Sequence, residues 1–123
     1  MLSHNLPDSL FNEFMGFIVR KNEEHFVIGN LNAINVSLND LREYFEETCD
    51  YAIINGSSLT IRCGRDNYLI EPSDLAAINK MAQDWLRRAY DIYASTNGTY
   101  KLAVLHMIER GNLSGAARMR QVI

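Results

Sequence analysis

Between Ser73 and about Ala94 apolar residues return every three or four positions: Leu75, Ile78, Ala82, Trp85, Ala89 and Ile92 or Tyr93. That period puts them on one stripe of a helix of about six turns. A long helix with a single apolar stripe must lie across a core that the rest of the chain supplies. Pro72 ends whatever precedes it, and Ser73 stands where an N-cap belongs.

The segment just before it has a different period. From Tyr51 to Glu71 three apolar runs are separated by Asn55-Gly56-Ser57 and Gly64-Arg65-Asp66, the spacing of a three-stranded antiparallel meander. Leu59, Ile61 and Cys63 alternate with Ser58, Thr60 and Arg62, so one face of this sheet is expected in the core and the other in water.

Further helices flank these elements. Leu10, Phe11, Phe14, Phe17 and Ile18 follow helical spacing between Pro7 and Arg20, with Pro7 suited to a first turn. Ser37 with Asp40 resembles a capping box, and it opens a second helix through Cys49 with Leu38, Leu41, Phe45 and Cys49 on one face. His25 to Gly29 and Ala33 to Val36 read as short β-rich pieces, either a strand pair or an extended loop. After the long helix, Asn97-Gly98 is a stop, Thr99 restarts a helix to Arg110, Gly111 stops that one, and Ser114 begins a short last helix. The expected fold is α+β: a small antiparallel sheet of three strands, with room for a fourth or fifth from residues 25–36, packed by about five helices and ending in a helical C-terminal third. A chain of 123 residues buries roughly two-thirds of its unfolded surface, so one domain over 1–123 is expected.

Four Asn-x-Ser/Thr triplets begin at Asn35, Asn55, Asn97 and Asn112. They are read as turns and caps, with Ser37, Thr99 and Ser114 as the capping hydroxyls. No run approaches the roughly 18 to 20 apolar residues of a membrane span, and Met1 to Asp8 has no basic region of the secretory-signal type. Cys49 and Cys63 both fall on apolar faces and read as inert core thiols. Together these features suggest a reduced, cytoplasmic setting and no membrane partner.

Chemistry is sparse. His4, His25, Cys49, Cys63 and His106 show neither C-x-x-C nor H-x-x-x-H spacing, so no metal is expected. No glycine-rich phosphate cradle occurs, and no cofactor is expected. Glu43 and Glu47, one turn apart, read as a solvated helix face and not as an acid/base pair. Enzyme function is not expected; a dispersed site around Cys63 or His106 is kept as a second alternative.

Charge is uneven. Residues 1–50 carry three basic and nine acidic residues, whereas residues 77–123 carry seven and three, balances of −6 and +4. On the second helix Asp40, Glu43, Glu47 and Asp50 share an outward stripe with Glu46 beside it and Arg42 nearby, which suits a basic partner. The long helix differs, because Lys80, Asp84, Arg87 and Asp91 alternate in sign and can pair with one another. Seven of the nine residues from Tyr100 to Ile108 are apolar. Such a helix is either sandwiched in the core or buried against a partner or a second copy of the chain, through Leu105 and Met107.

Two resemblances accompany these readings. The order of helix, strands, helix, hairpin strands and long helix is similar to that of small acidic secretion chaperones of bacteria, although the two terminal helices depart from it. Gly111-Asn112-Leu113-Ser114-Gly115-Ala116-Ala117-Arg118 resembles the G-N-x-S-x-A-A-R stretch of Fis-type helix-turn-helix segments, which opens the helix before the recognition helix. Five residues follow Arg118, too few for a recognition helix to be expected here.

The function expected is therefore that of a small accessory protein of bacterial or phage type, an adaptor, inhibitor or chaperone-like factor. It would act by binding another protein through Asp40, Glu43, Glu47 and Asp50 and through Leu105 and Met107, with dimerisation by helix 100–108 as one route. The alternative is a nucleic-acid-associated regulator that uses Arg110, Arg118 and Arg120 on phosphates.

Overall fold

A computed structural model describes residues 6–121. Among these residues six α-helices and a three-stranded sheet follow in the order α1 (Asp8–Lys21), α2 (Glu23–Val27), α3 (Leu38–Thr48), β1 (Tyr51–Asn55), β2 (Ser58–Cys63), β3 (Asp66–Ile70), α4 (Pro72–Ala94), α5 (Lys101–Glu109) and α6 (Leu113–Arg120). This is the expected α+β architecture with its helical C-terminal third. The sheet is the expected meander, ordered β1-β2-β3 and antiparallel throughout. Each hairpin turns in two residues, Gly56-Ser57 and Gly64-Arg65, whose glycines take φ of 66° and 65°. A side chain is rarely tolerated there, which is why glycine opens both turns.

One cluster of buried side chains joins every layer. Phe14, Met15, Ile18 and Val19 of α1, Leu41 and Phe45 of α3, Leu59, Ile61 and Ile70 of the sheet, and Ile78, Trp85, Leu86 and Ala89 of α4 are all sealed from solvent. The predicted stripe of α4 lies inward, and Leu86 joins it from the flank. Helix α5 packs against α1, α4 and α6, and buries Val104, Leu105 and Ile108. Three helices cover the face of Val104, Leu105 and Ile108, while Leu102 on the same helix is 64% exposed.

The region between α1 and α3 corrects the reading of residues 25–36. It contains no strand; Glu23–Val27 is helical and Leu31–Ala33 forms a 3₁₀ turn. Side chains of α4 bind the backbone groups that a strand partner would otherwise have taken. Gln83 Nε2 donates to the carbonyls of Leu31 and Ile34, and Asn79 both accepts from the Val36 N–H and donates to the Val36 carbonyl at 2.8 Å. Phe26 is sealed beneath Tyr90, edge to face. With its polar backbone groups satisfied by α4, the segment has no need of a sheet neighbour.

Caps follow the same logic of donors and acceptors. Ser37 and Asp40 form the expected capping box, each side chain accepting from the other's backbone N–H. Thr99 and Ser114 do not cap; Asn97 accepts from the Thr99 N–H and Asn112 from the Gly115 N–H. Asparagine reaches the same orphan donors from two residues earlier. Helix α4 likewise begins one residue before Ser73, with Pro72 in its first turn and Asp74 accepting from the Glu71 N–H.

Candidate protein-binding face

The sheet is covered on one side only. Ala52, Ile61 and Tyr68 form one inward row and Ile54, Leu59 and Ile70 the next. The outward rows are Tyr51, Arg62 and Asn67, then Ile53, Thr60 and Leu69. On β2 the expected alternation holds, with Thr60 and Arg62 outward. The flanking strands break it, because Ile53 is 55% exposed, Leu69 46% and Tyr51 37%. Thr60 sits between Ile53 and Leu69 in register, so the two aliphatic side chains flank one short hydroxyl on the same side of the sheet. Tyr51, Ile53 and Leu69 are the exposed large apolar residues of these outward rows.

Acidic groups stand at the strand ends, and in register Asp50 and Asp66 share the side of Ala52 and Tyr68, not that of Ile53 and Leu69. Asp50 immediately precedes Tyr51, its N–H donates to the Arg62 carbonyl, and its carboxylate accepts from the Gly64 N–H. Asp66 opens β3 and Glu71 follows it. Of the acidic stripe on α3, Asp40 and Glu43 both grip Lys21 of α1 at 3.0 and 2.9 Å, and Glu46 pairs with Arg42. Glu47 is exposed on the helix surface. The stripe is thus divided: Asp40 and Glu43 tie α3 to α1, and Glu47 and Asp50 remain near the start of the sheet. Burial pushes the Asp40 carboxyl up, but the Ser37 N–H and the Lys21 ammonium together hold it below its ordinary value.

Leu105 is 5% exposed, in the core, and Met107 is half-buried against it. Neither offers a free surface for a partner or for a second copy of the chain; the exposed apolar residue of that helix is Leu102, at 64%. The clean alternation of β2 gives no sign of this open face. The signal was present in Tyr51-Ala52-Ile53-Ile54, a run with no polar break, which must place apolar groups on both sides of an edge strand.

The cysteines correct another expectation. Cys49 and Cys63 are joined in a disulfide that ties the C-cap of α3 to the end of β2. They are apolar-facing, as expected, but not free thiols, and the thiol argument for a reduced compartment falls with them. His4 lies outside the described residues. Among those residues no three His, Cys, Asp or Glu side chains converge to hold a metal ion.

A second cluster lies where α5 ends. Arg20, His106, Glu109 and Arg110 line a cleft of about 320 Å³. Glu109 is nine-tenths buried, and Arg20 donates to its carbonyl oxygen at 2.6 Å, not to its carboxylate. Its Oε2 is sealed from solvent without a hydrogen-bond donor. Burial first, then the Glu23 carboxyl, raise Glu109 to about 7, against the opposing charge of Arg20. The available signal was position: Glu109 follows Leu105 by four residues and so falls on the apolar face.

Helices α5 and α6 pack together across a tight turn in which Gly111, at φ 78°, sends its N–H to the Ile108 carbonyl. Arg110 and Arg118 are exposed, while Arg120 donates to the Ser95 hydroxyl. No family model, curated protein or solved structure matches this chain.

Proposed function

We propose that this protein is a binding module that docks a polypeptide on the open face of its sheet. The observation that carries this reading is the exposure of Ile53 and Leu69 on either side of Thr60, in register and opposite the core. A sheet face needs no assembled catalytic group to do this; a rigid scaffold and a dry contact suffice.

The test is a photo-crosslinking amino acid placed at Leu69, with a control at Lys80 on the exposed surface of α4. In lysate treated with nuclease, position 69 should give one adduct of defined mass, and Ile53→Asp should remove it while leaving far-ultraviolet circular dichroism unchanged. Equal adducts from both positions, or none from position 69, would reject the face.

The second reading, a nucleic-acid-associated regulator, is favoured by the packed α5–α6 pair with Arg110 and Arg118 exposed. Its signature is binding to DNA or RNA that weakens steeply with salt and with Arg118→Ala.

A further inference from the structure

We propose that the free edge of β3 pairs with the same edge of a second copy of this chain, so that two three-stranded sheets join into one. The hairpin geometry fixes which backbone groups that edge offers. A two-residue turn closes on a hydrogen-bonded pair, here Cys63 with Asp66, and the pairs of an antiparallel ladder then alternate in kind. Arg62 with Asn67 and Thr60 with Leu69 are therefore pairs whose N–H and C=O groups point away from each other. On β2 those groups meet Tyr51 and Ile53 of β1. On β3 they face outward; Asn67 and Leu69 are both exposed, and among the described residues no backbone group outside the sheet bonds to them. The opposite edge is closed, because the corresponding residues of β1 are Ala52, 3% exposed, and half-buried Ile54, and α3 packs beside that strand. Between Asn67 and Ile70 there is no Lys, no Pro and no bulge, the usual means of keeping an edge from pairing.

One antiparallel register suits a second copy. It sets Asn67 against Leu69 of the second copy and Leu69 against its Asn67, which gives every one of the outward N–H and C=O groups a partner. A shift of two residues would set Leu69 against the turn, or Asn67 against Glu71, whose N–H is already given to Asp74. A shift of one would join the outer side of one sheet to the inner side of the other. The favoured register also places Tyr68 opposite its own counterpart at the two-fold axis, an aromatic pair across the strands, and sets Asp66 opposite Ile70 and away from its like. It carries Arg65, at the turn, toward Glu71 of the second copy, once on each side of the axis. Among the described residues neither Arg65 nor Glu71 forms an ion pair within the chain. Arg65 at one end of the edge and Glu71 at the other are of opposite sign, and a two-fold axis sets each against the other, which argues for a second copy over an unrelated strand. The pairing leaves the outer side of the sheet open, so it holds or fails independently of what docks there.

Sedimentation equilibrium of the purified intact chain reads the assembly: the mass should approach twice 14.1 kDa as concentration rises. Amide exchange at Asn67 and Leu69 should slow over the same range, while that of β1 stays level. Leu69→Pro removes an outward N–H that the chain itself does not use and should leave a folded monomer by circular dichroism. Arg65→Glu and Glu71→Arg should each weaken self-association about tenfold at low salt, two exposed contacts being turned from attraction to repulsion. An equimolar mixture of these two variants should recover the dimer, because both contacts are then again of opposite sign. Ile53→Asp, on the outer side and away from the edge, should keep it. A photo-crosslink from position 69 in purified protein should give an adduct of twice the chain's mass that survives Ile53→Asp, whereas an adduct with a docked partner needs lysate and does not. A chain that stays monomeric, a folded Leu69→Pro variant that still dimerises, or a dimer abolished by Ile53→Asp would overturn the edge pairing. Should Leu69→Pro fail to fold, the charge variants decide: a mixture that associates no better than either alone overturns it, and recovery supports it.

Discussion

Arg20 Nη1 meets the carbonyl oxygen of Glu109 at 2.6 Å, one helical turn from the point where Gly16 lets α1 touch the end of α5. The carbonyl is one of those a helix leaves orphaned at its C-terminus, and an arginine from a neighbouring helix satisfies it. The approach depends on a missing side chain. A Cβ on Gly16 would stand 2.5 Å from the Glu109 oxygen and 2.6 Å from the Gly111 nitrogen, both backbone atoms that cannot rotate aside. Gly16→Ala should therefore lower stability by about 1–3 kcal/mol, although alanine is the better helix former. Urea denaturation is the measurement; a midpoint equal to or above the wild type would mean that α1 and α5 do not cross here.

That crossing also shows where sequence reading stops. Periodicity identified α1, α4 and the sheet because each buries one face, and burial of one face leaves a period. Gly16 lies within the helical run of α1 with nothing in its neighbours to signal contact with a residue more than ninety positions away. Residues 25–36 depart from their sequence pattern for a related reason. Their β-branched and aromatic members suit strands, but Gln83 and Asn79 of α4 satisfy their backbone, a fact of tertiary placement that no local window contains. The acidic stripe of α3 was legible as charge, yet the engagement of Lys21 with both Asp40 and Glu43 was not, because the three residues converge from two helices.

Asn12 accepts a hydrogen bond from the indole nitrogen of Trp85 at 3.0 Å, linking α1 to the buried stripe of α4. Trp85 is 1% exposed, so its indole nitrogen depends on this partner. Asn12→Ala should cost about 1–3 kcal/mol, the penalty of an unpaired buried donor, and Asn12→Asp, which keeps the acceptor, should cost less. Because Trp85 is the single tryptophan, its fluorescence follows the transition without ambiguity. Equal losses in the two variants would show that the hydrogen bond is not what Asn12 contributes.

Lys21 bridges α1 to Asp40 and Glu43 of α3 at the surface, where an ion pair is worth under about 1 kcal/mol. Lys21→Met should destabilise by no more than that, and the difference should shrink as salt is added. Asp40 carries more, because it also closes the capping box on Ser37. Its carboxyl is held below the ordinary 3.8, so its contribution is present at neutral pH and is lost as pH falls through the folded value. Asp40→Asn should be destabilised by about 1 kcal/mol at pH 7 and should approach the wild type in acid. A constant gap across pH would assign the loss to shape and not to charge.

The Cys49–Cys63 disulfide closes a loop that contains Tyr51 and Ile53, two of the exposed residues on the open sheet face. Its sequence separation of 14 places it near the 15-residue case, for which restriction of the unfolded chain contributes about 3 kcal/mol. Reduction should lower the denaturation midpoint by a comparable amount, and Cys49→Ala with Cys63→Ala should reproduce the reduced protein. Before that, denatured but unreduced protein should yield no titratable thiol; two thiols would remove the bond from the fold. Because the β1–β2 pairing of Tyr51 with Arg62 lies just inside the closed loop, reduction should also blur the outward row that begins with Tyr51. Crosslinking from position 69 should then weaken with reductant under conditions where the far-ultraviolet spectrum is unchanged. If crosslinking holds while the midpoint falls, the disulfide stabilises the fold and the docking face is shaped without it.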